Sequence, residues 1–372
     1  MASEVIQSIT RLTSLADVLA TIDNRVRPVA QRTIDIAGAD GRTLAADAVA
    51  RTRPGVPIAM IDGWALAADD TLGAGGYTPA LLLRTPPRIE SGQPMPPDTD
   101  SVAPFDAVRV SNGQAEALAT IDPGDGVLPA GGDCEPGLPL RRAGERLGAL
   151  DIAAFAAAGL ARITVREPRI RVLPLRGSTI INATARLLAT DIERRGGAAR
   201  LDEAGRDLGT VLAAESADAI VVIGGTGSGR SDTSVHRLAR DGEVAVHGIA
   251  MTPGNTAAVG FVAHRPVLLL PGRLDAALAV WLLVGRRMLE RLAGVINRES
   301  DAVESVPLAR KVTSTVGLAE LIPVRCTGGQ AEPLARSYLP LSSLTRSDGW
   351  IVVPPDSEGY SAGSLVQVKP WP

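Results

Sequence analysis

The sequence predicts a soluble, multidomain protein of the α/β plus β class, and three observations support that prediction. The chain has 372 residues, which at about 150 residues per domain gives two to four domains. Short apolar runs alternate with helical patterns between Pro168 and Asn297, as in a parallel sheet built from strand–helix–strand units. After Asn297 the sequence has turn residues and short apolar runs without a helical period, which favours a small all-β domain.

The elements before residue 168 follow from helical spacing and from turn residues. Helices are predicted at 15–27 and 151–161, and strands at 81–83 and 107–110. In the first helix, Leu15, Val18 and Ile22 are spaced as on one helical face. In the second, Gly159 follows an alanine-rich run and is predicted to be the C-cap.

Strand and helix patterns alternate from residue 170 onwards. Strands are predicted at 170–175, 219–223 and 267–270, and helices at 182–195 and 274–292. The run Ala219–Ile223 is apolar throughout, as expected for a strand buried on both faces of a parallel sheet. Near the C-terminus, 350–353 and 365–368 are predicted strands, with a turn at Gly359 between them.

Composition and charge exclude several classes of function. The net charge is −3, and no polybasic run offers a surface for nucleic acid. The longest apolar run, Ala276–Val284, is about half as long as a membrane-spanning helix, and the N-terminus lacks a secretory signal pattern. Cys134 and Cys326 are too few for a disulfide framework, and the three histidines lack metal-ligand spacing. The sequence therefore predicts a cytoplasmic protein that binds neither nucleic acid nor membranes.

A glycine-rich segment directly follows the predicted strand at 219–223. It consists of Gly224, Gly225, Thr226, Gly227, Ser228 and Gly229. Asp232 begins the next helical segment, so backbone N–H groups and a helix N-terminus would meet here and favour an anionic ligand. The alternative is a flexible turn, since the spacing fits neither the dinucleotide-binding fingerprint nor a Walker loop.

Two further loops are placed to share a crevice with this segment. Pro271-Gly272 follows the predicted strand at 267–270, and Pro253-Gly254 lies in a second loop of the same region. Open α/β sheets bind ligands at the carboxyl ends of their strands. Each loop alone is compatible with a plain turn, but beside the glycine-rich segment the two favour a ligand crevice.

Three aspartates before residue 140 are candidates for a functional carboxylate. Asp62 lies in an apolar turn, Met60–Ala65, where it could orient a metal or a hydroxylated ligand. The alternative is a local Asx-turn, in which the side chain only holds the backbone. Asp100 and Asp133 admit the same two interpretations.

Short motifs occur in a fixed order along nearly the whole chain. The segments, each with the family pattern that it resembles, are 41–47 (GR-x-LA-x-D), 59–65 (S-A-M-D-G-Y-A), 89–102 (I-x-T-G-x-x-x-P, then D-A-V), Asp133 (the aspartate of a G-E-D turn), 224–232 (GG-x-S-x-G-x-x-D), 247–254 (the segment ending in PG-K-P) and 270–272 (LPG-N-P). In this order they resemble the molybdopterin molybdenumtransferase family, which comprises MoeA and the corresponding domain of gephyrin. Residues 342–372 resemble the terminal β domain of that family.

The resemblance implies four domains and a shared site. The domains are an elongated dimerisation domain (1–27 with 45–53 and 141–168), an inserted β domain (28–44 with 54–140), a parallel-sheet α/β molybdopterin-binding domain (169–297) and a small β-barrel-like C-terminal domain (298–372). It implies a homodimer whose site brings adenylylated molybdopterin, molybdate and Mg²⁺ together. It also implies a molybdoenzyme client for the finished cofactor.

The resemblance further assigns roles to individual residues. Asp62 and Asp133 are the candidate catalytic carboxylates, and Asp62 and Asp100 are the candidate Mg²⁺ ligands, because Mg²⁺ prefers oxygen ligands. The candidate cofactor-binding residues are Ser91, Gly92, Gly224, Gly225, Thr226, Gly227, Ser228, Gly229, Arg230, Asp232, Pro253, Gly254, Pro271, Gly272 and Arg273.

The sequence departs from the family pattern at several functional positions. The acidic S-T-G-D-E-L segment is replaced by Leu175–Thr179, which has no carboxylate, and the lysine of PG-K-P is Asn255. Arg230 and Arg273 add positive charge, which suits an anion better than Mg²⁺. Three functions therefore stay open: an enzyme that inserts molybdenum, a carrier that binds molybdopterin or the finished cofactor, and a dimeric scaffold.

Overall fold

A computed structural model describes residue 7 and residues 9–135, 137–229, 232–296 and 305–372. It divides into two compact units, which are described separately. The first comprises Met1–Ala46, Ala143–Ala149 and Arg162–Pro372, and the second comprises Asp47–Arg142 and Leu150–Ala161. None of the helices in the described ranges combines the length and apolarity that crossing a membrane requires.

The helices and strands are numbered in chain order. The helices are α1 Leu15–Arg25, α2 Ala149–Ala157, α3 Thr179–Arg194, α4 Leu208–Ala213, α5 Ser234–Asp241, α6 Leu274–Val280, α7 Arg286–Ala293 and α8 Leu341–Arg346. The strands of the first half are β1 Arg32–Asp35, β2 Thr43–Leu44, β3 Ala48–Val49, β4 Ile58–Ala59, β5 Gly63–Leu66, β6 Ala80–Leu82, β7 Arg88–Ile89, β8 Ser101–Ala103, β9 Val108–Ser111, β10 Gln114–Ala117, β11 Val127–Leu128, β12 Pro139–Arg141 and β13 Arg162–Arg166. Those of the second half are β14 Arg169–Pro174, β15 Ala198–Leu201, β16 Ala219–Ile223, β17 Glu243–His247, β18 Met251–Thr252, β19 Ala258–Val262, β20 Arg265–Leu270, β21 Ser305–Pro307, β22 Val312–Thr313, β23 Ala319–Thr327, β24 Gln330–Pro333, β25 Gly349–Val353, β26 Gly359–Tyr360, β27 Leu365–Gln367 and β28 Lys369–Pro370.

The main sheet of the first unit has six strands in the order β15-β14-β16-β20-β19-β17. Strands β15, β14, β16 and β20 are parallel, as the alternating pattern predicted. Strands β19 and β17 extend this parallel part by antiparallel pairing, so the sheet as a whole is mixed. The β19–β20 hairpin turns at Ala263, which has a positive φ of 54° but lacks the glycine or asparagine that normally signals such a turn.

The core of this unit lies around β16, all five of whose residues are buried. The long helix predicted at 274–292 is present as α6 and α7, joined by a π turn at Trp281–Gly285. That turn brings two donors onto one buried carboxylate: Trp281 Nε1 lies 2.7 Å from Asp191 Oδ2, and Arg286 binds both oxygens at 2.8 and 2.9 Å. Burial raises the pKa of Asp191, but Arg286, Arg195 and Trp281 together more than offset it, and the net pKa is lowered.

The second unit is built from short strands. Its sheets follow the orders β6-β10-β9 and β7-β5-β8, with the pairs β11-β4 and β12-β3 beside them. Helix α2 ends at Ala157 rather than at the predicted residue 161, and Gly159 closes it as predicted, since it has φ +79° and the Leu160 N–H donates to the Phe155 carbonyl. In the first unit, β1 and β2 both pair with β13. The four-domain division, which grouped 28–44 with 54–140, stays a prediction.

The C-terminal segment of the first unit is mostly β-structure, as predicted. Strands β23 and β25 are its centre, and β18 adds to β23 through parallel pairing of Met251–Thr252 with Ala319–Glu320. The expectation that no helix follows Asn297 was wrong, because α8 spans Leu341–Arg346. This short helix has no buried residue, so the sequence carries no apolar period there.

Candidate functional site

A cleft of about 250 Å³ lies at the carboxyl edge of the main sheet. It is lined by Arg176, Ile181, Gly224, Gly225, Thr226, Gly227, Asp232, Thr256, Pro271, Gly272 and Arg273. Strands β14, β16 and β20 end at this edge, so the loops that follow them converge. A Cβ on Gly272 would lie 3.6 Å from Gly224 Cα, which shows how closely the two predicted loops approach. The predicted crevice between these loops is therefore present.

The start of the glycine-rich segment requires glycine on conformational grounds. Gly224 and Gly225 have φ angles of +103° and +78°, which L side chains rarely adopt. A Cβ on Gly225 would also lie 2.6 Å from Leu175 Cδ2. The backbone of this loop can therefore line the cleft directly only because no side chain intervenes.

The N-terminus of α5 does not face the cleft in the way the sequence predicted. Its first N–H groups are already bonded: Val235 N and His236 N donate to Gln7 Oε1 at 2.8 and 3.2 Å. The Ser234 N–H and hydroxyl both donate to the Gly225 carbonyl, at 3.2 and 2.6 Å. An anion in the cleft would therefore meet the loop N–H groups rather than those of the helix.

Sequence analysis did not identify Gln7. Besides capping α5, its Nε2 donates to the carbonyls of Gly225 and Gly227 at 3.1 and 2.9 Å, and the residue is 3% exposed. Gln7 lies more than 200 residues before the glycine loop in the sequence, and a single glutamine forms no pattern that points to this contact. The nearest signal is the glycine loop itself, whose carbonyls need buried donors.

Asp232 stabilises the far side of the glycine loop. Its Oδ2 accepts a hydrogen bond from Gly229 N at 3.1 Å, and a Cβ on Gly227 would lie 2.7 Å from that oxygen. Ser228 and Gly229 are exposed and do not line the cleft. Arg230, which was expected to contact the ligand, lies outside the described residues.

The neighbouring polar groups are neutral hydroxyls and a histidine. The hydroxyls of Thr226 and Thr256 lie 3.1 Å apart, and His247 Nε2 lies 3.5 Å from the Thr226 carbonyl. Burial lowers the pKa of His247, which therefore carries no charge at neutral pH. Positive charge at the cleft comes instead from Arg176 and Arg273.

Arg273 is held by groups on two sides. It forms a two-point ion pair with buried Asp275, whose hydrogen bond raises the pKa of the guanidinium, and it lies 4.7 Å from the centre of the Tyr338 ring. The Leu339 N–H donates to Asp275 Oδ2 at 3.1 Å. The C-terminal β-structure thus contacts the same loop that lines the cleft.

A second, larger cleft of about 560 Å³ adjoins the first and shares Arg176 with it. Arginines and one histidine dominate its lining, which includes Arg206, His236, Arg237 and Arg240. Asp207 and Asp241 pair with Arg237 at 3.4 and 2.5 Å and offset part of that charge. The surroundings of the candidate site are basic, which suits an anionic ligand.

The loop at 251–255 contributes less than predicted. Pro253 and Gly254 are buried and do not line the cleft, although Thr256 does. A Cβ on Gly254 would lie 2.5 Å from Val280 Cγ2, so this glycine allows close packing against α6. Its placement supports a structural role for Pro253-Gly254.

The candidate carboxylates of the second unit bond to segments that are distant in sequence. Asp62 Oδ1 accepts from Ser91 N at 2.8 Å, and the Ser91 hydroxyl donates to the Met60 carbonyl, so these bonds connect the exposed turn of Asp62 with that of Ser91 and Gly92. Asp100 Oδ1 accepts from Ala68 N and from the Ser101 hydroxyl, both at 2.8 Å.

Asp133, the third of these carboxylates, lies 3.6 Å from Arg53. Among the described residues, no three histidine, cysteine, aspartate or glutamate side chains form a group that could hold a metal ion. The expected Mg²⁺ ligands therefore do not fit a metal site made by the described part of one chain.

Three family models match consecutive parts of the chain. The "MoeA N-terminal region (domain I and II)" matches residues 13–159, the "Probable molybdopterin binding domain" matches 178–291, and the "MoeA C-terminal region (domain IV)" matches 305–371. All the residues that line the cleft described above, except Arg176, lie within the second of these ranges.

Relatives and solved structures match over most of the chain. Molybdopterin molybdenumtransferase 2 of Mycobacterium tuberculosis is 27% identical over 94% of this chain and 97% of its own. Molybdopterin molybdenumtransferase 1 of the same organism is 26% identical over 80% of this chain and 77% of its own. The crystal structure of the molybdopterin biosynthesis MoeA protein from Pyrococcus horikosii superposes with a TM-score of 0.78 at 26% identity, over 97% of this chain and all of that one.

Proposed function

The chain belongs to the MoeA family, and from that premise we propose that it transfers molybdenum from molybdate to adenylylated molybdopterin in molybdenum cofactor biosynthesis. One observation carries the proposal: the glycine-rich loop and the Pro271–Arg273 loop form a cleft at the carboxyl edge of the sheet. Its exposed backbone N–H groups and two arginines match the phosphate of a pterin substrate. The family relationship favours the transferase over the carrier or the scaffold.

The residues of the cleft bind and orient the substrate in this proposal. Thr226 and Gly227 present backbone to the pterin phosphate, and Arg273, fixed by Asp275, neutralises its charge. The neighbouring arginine-lined cleft supplies positive potential that attracts molybdate, itself a dianion. Molybdate and the pterin phosphate repel each other in water. The arginines around the two clefts reduce this repulsion and so lower the free energy needed to bring the two anions together.

Asp62 is the proposed functional carboxylate, with Asp133 as its helper. Because the carboxylates do not form a metal site within the described residues, no step is derived through Mg²⁺. The proposed partners are a second copy of the chain and a molybdoenzyme that receives the product. Helix α2 supports pairing with a second copy of the chain, because it buries only Phe155 and leaves Leu150 82% exposed.

The deciding experiment supplies adenylylated molybdopterin and molybdate under anaerobic conditions and measures molybdenum bound per pterin in the product. We expect stoichiometric insertion, together with genetic complementation of a strain that lacks the transferase. Wild-type protein that binds molybdopterin but inserts no molybdenum would instead identify a carrier. Protein that binds no molybdopterin would contradict both.

A further inference from the structure

The buried side chain of Gln7 connects the two structures that border the cleft. Its oxygen accepts the N–H groups of Val235 and His236 on α5, and its nitrogen donates to Gly225 and Gly227 on the loop. A carboxamide has two donor hydrogens and two acceptor lone pairs, and all four are used here. Such a residue can fix the orientation of the loop peptides as well as cap the helix.

The orientation of those peptides decides what the loop offers a ligand. In a trans peptide the carbonyl and the following N–H point in opposite directions. Because Gly225 and Gly227 direct their carbonyls at Gln7, the N–H groups of Thr226 and Ser228 point away from it. Neither N–H has a hydrogen-bond partner among the described residues. Two N–H groups on alternate residues thus face the same side, an arrangement that binds anionic oxygens.

We propose that Gln7 is a positioning residue for substrate: it holds the glycine loop so that the Thr226 N–H faces the phosphate of molybdopterin in the cleft, with the exposed Ser228 N–H directed to the same side. This inference rests on the proposed function. It assigns a role in the site to Gln7, although no sequence motif around this residue suggests one. Loss of the two Nε2 hydrogen bonds would free the Gly227–Ser228 peptide to rotate, and it would leave the Gly225–Thr226 peptide held by Ser234 alone.

If Gln7 only caps α5, a variant that keeps the cap should bind molybdopterin as well as the wild type does. Gln7→Glu separates the two roles, because a carboxylate still accepts from Val235 and His236 but cannot donate to the loop carbonyls. A negative charge at a helix N-terminus is itself favourable, so the cap is retained. The matched control is Ser14→Ala, which removes the side-chain cap of α1 (Ser14 Oγ to Asp17 N, 3.1 Å).

The experiment measures molybdopterin affinity by anaerobic calorimetry, and amide hydrogen exchange of residues 224–229 without ligand. We expect Gln7→Glu to weaken binding by about tenfold or more and to speed exchange in the loop. Ser14→Ala should lower the unfolding temperature and leave both measurements unchanged.

Equal affinity of wild type and Gln7→Glu would overturn the role in binding, and equal loop exchange would overturn the positioning itself. If wild type binds no molybdopterin, the proposed function fails together with the ligand-binding role of Gln7. Loop exchange would then still decide whether Gln7 positions the peptides.

Discussion

The guanidinium of Arg273 lies 4.7 Å from the centre of the Tyr338 ring, a cation–π contact between the cleft and the C-terminal β-structure. Tyr338 is 57% exposed, so the contact does little for the core and mainly restrains the arginine. We expect Tyr338→Ala to weaken molybdopterin binding by about two- to fivefold, because Arg273 loses one of its supports. Calorimetry measures this, and Tyr77→Ala, at a fully exposed tyrosine, should leave binding unchanged.

Gly225→Val should abolish molybdopterin binding. The substitution combines an unfavourable φ of +78° with a Cβ 2.6 Å from Leu175 Cδ2, so the loop must move. Gly113→Val is the matched control, because Gly113 has φ +83° and open space around its Cβ position. Both variants should lose stability, but unchanged affinity of the Gly225 variant would show that the phosphate binds elsewhere.

Asp62→Asn tests the proposed functional carboxylate. The amide oxygen can still accept from Ser91 N, so the turn is retained while the charge is lost. We expect molybdenum insertion to fall by about tenfold or more with pterin binding largely intact. Asp106→Asn removes an exposed carboxylate outside the candidate site and should have no effect. Full molybdenum insertion by the Asp62 variant would show that Asp62 only holds the local backbone through its bond to Ser91.

The stability of the first unit should depend on pH through Asp191. Its pKa is lowered from the ordinary value of 3.8, so its ion pairs stabilise the fold above that value. This stabilisation is lost as the pH falls from 3.8 through the lower folded-state pKa. Asp191→Asn should cost about 3–5 kcal/mol at neutral pH, since the buried Arg286 and Trp281 donors then face a neutral amide instead of a carboxylate, and the difference should shrink in acid. Urea unfolding from pH 7 to pH 3 measures both free energies, and a constant difference would contradict the assignment.

We expect a homodimer, with a mass of twice 38.5 kDa by light scattering at micromolar concentration. Helix α1 buries Val18 and Ile22 in the core of its own unit. Helix α2, in contrast, leaves Ala154 and Leu150 exposed, so it is the expected contact between the two copies. Ala154→Glu should therefore produce a monomer without unfolding, whereas a monomeric wild type would refute the prediction.

Elements defined by local pattern were predicted well, and contacts between distant segments were not. The predicted bounds of the strand at 219–223 agree with the structure at both ends, because five consecutive apolar residues between turns strongly favour a buried strand. Strands β17 and β19 were missed because Ala263 gives no turn signal and the edge strand is only partly apolar.

The candidate site shows the same division between local and distant contacts. The glycine loop was found from its composition, yet the caps supplied by Gln7 and the bond between Leu339 and Asp275 depend on tertiary packing. Single polar residues have no periodicity, so no local rule finds them.

The backbone pairing of β18 with β23 has a consequence for how the chain folds. Met251–Thr252 and Ala319–Glu320 belong to segments that separate family models describe, yet they share one parallel ladder. Buried Glu320 and the Ala319 N–H, which donates to the Ala250 carbonyl, lie at this seam. A polypeptide that ends before residue 305 lacks the partner strand of β18, so the Met251–Thr252 ladder forms only after the C-terminal strands have emerged from the ribosome.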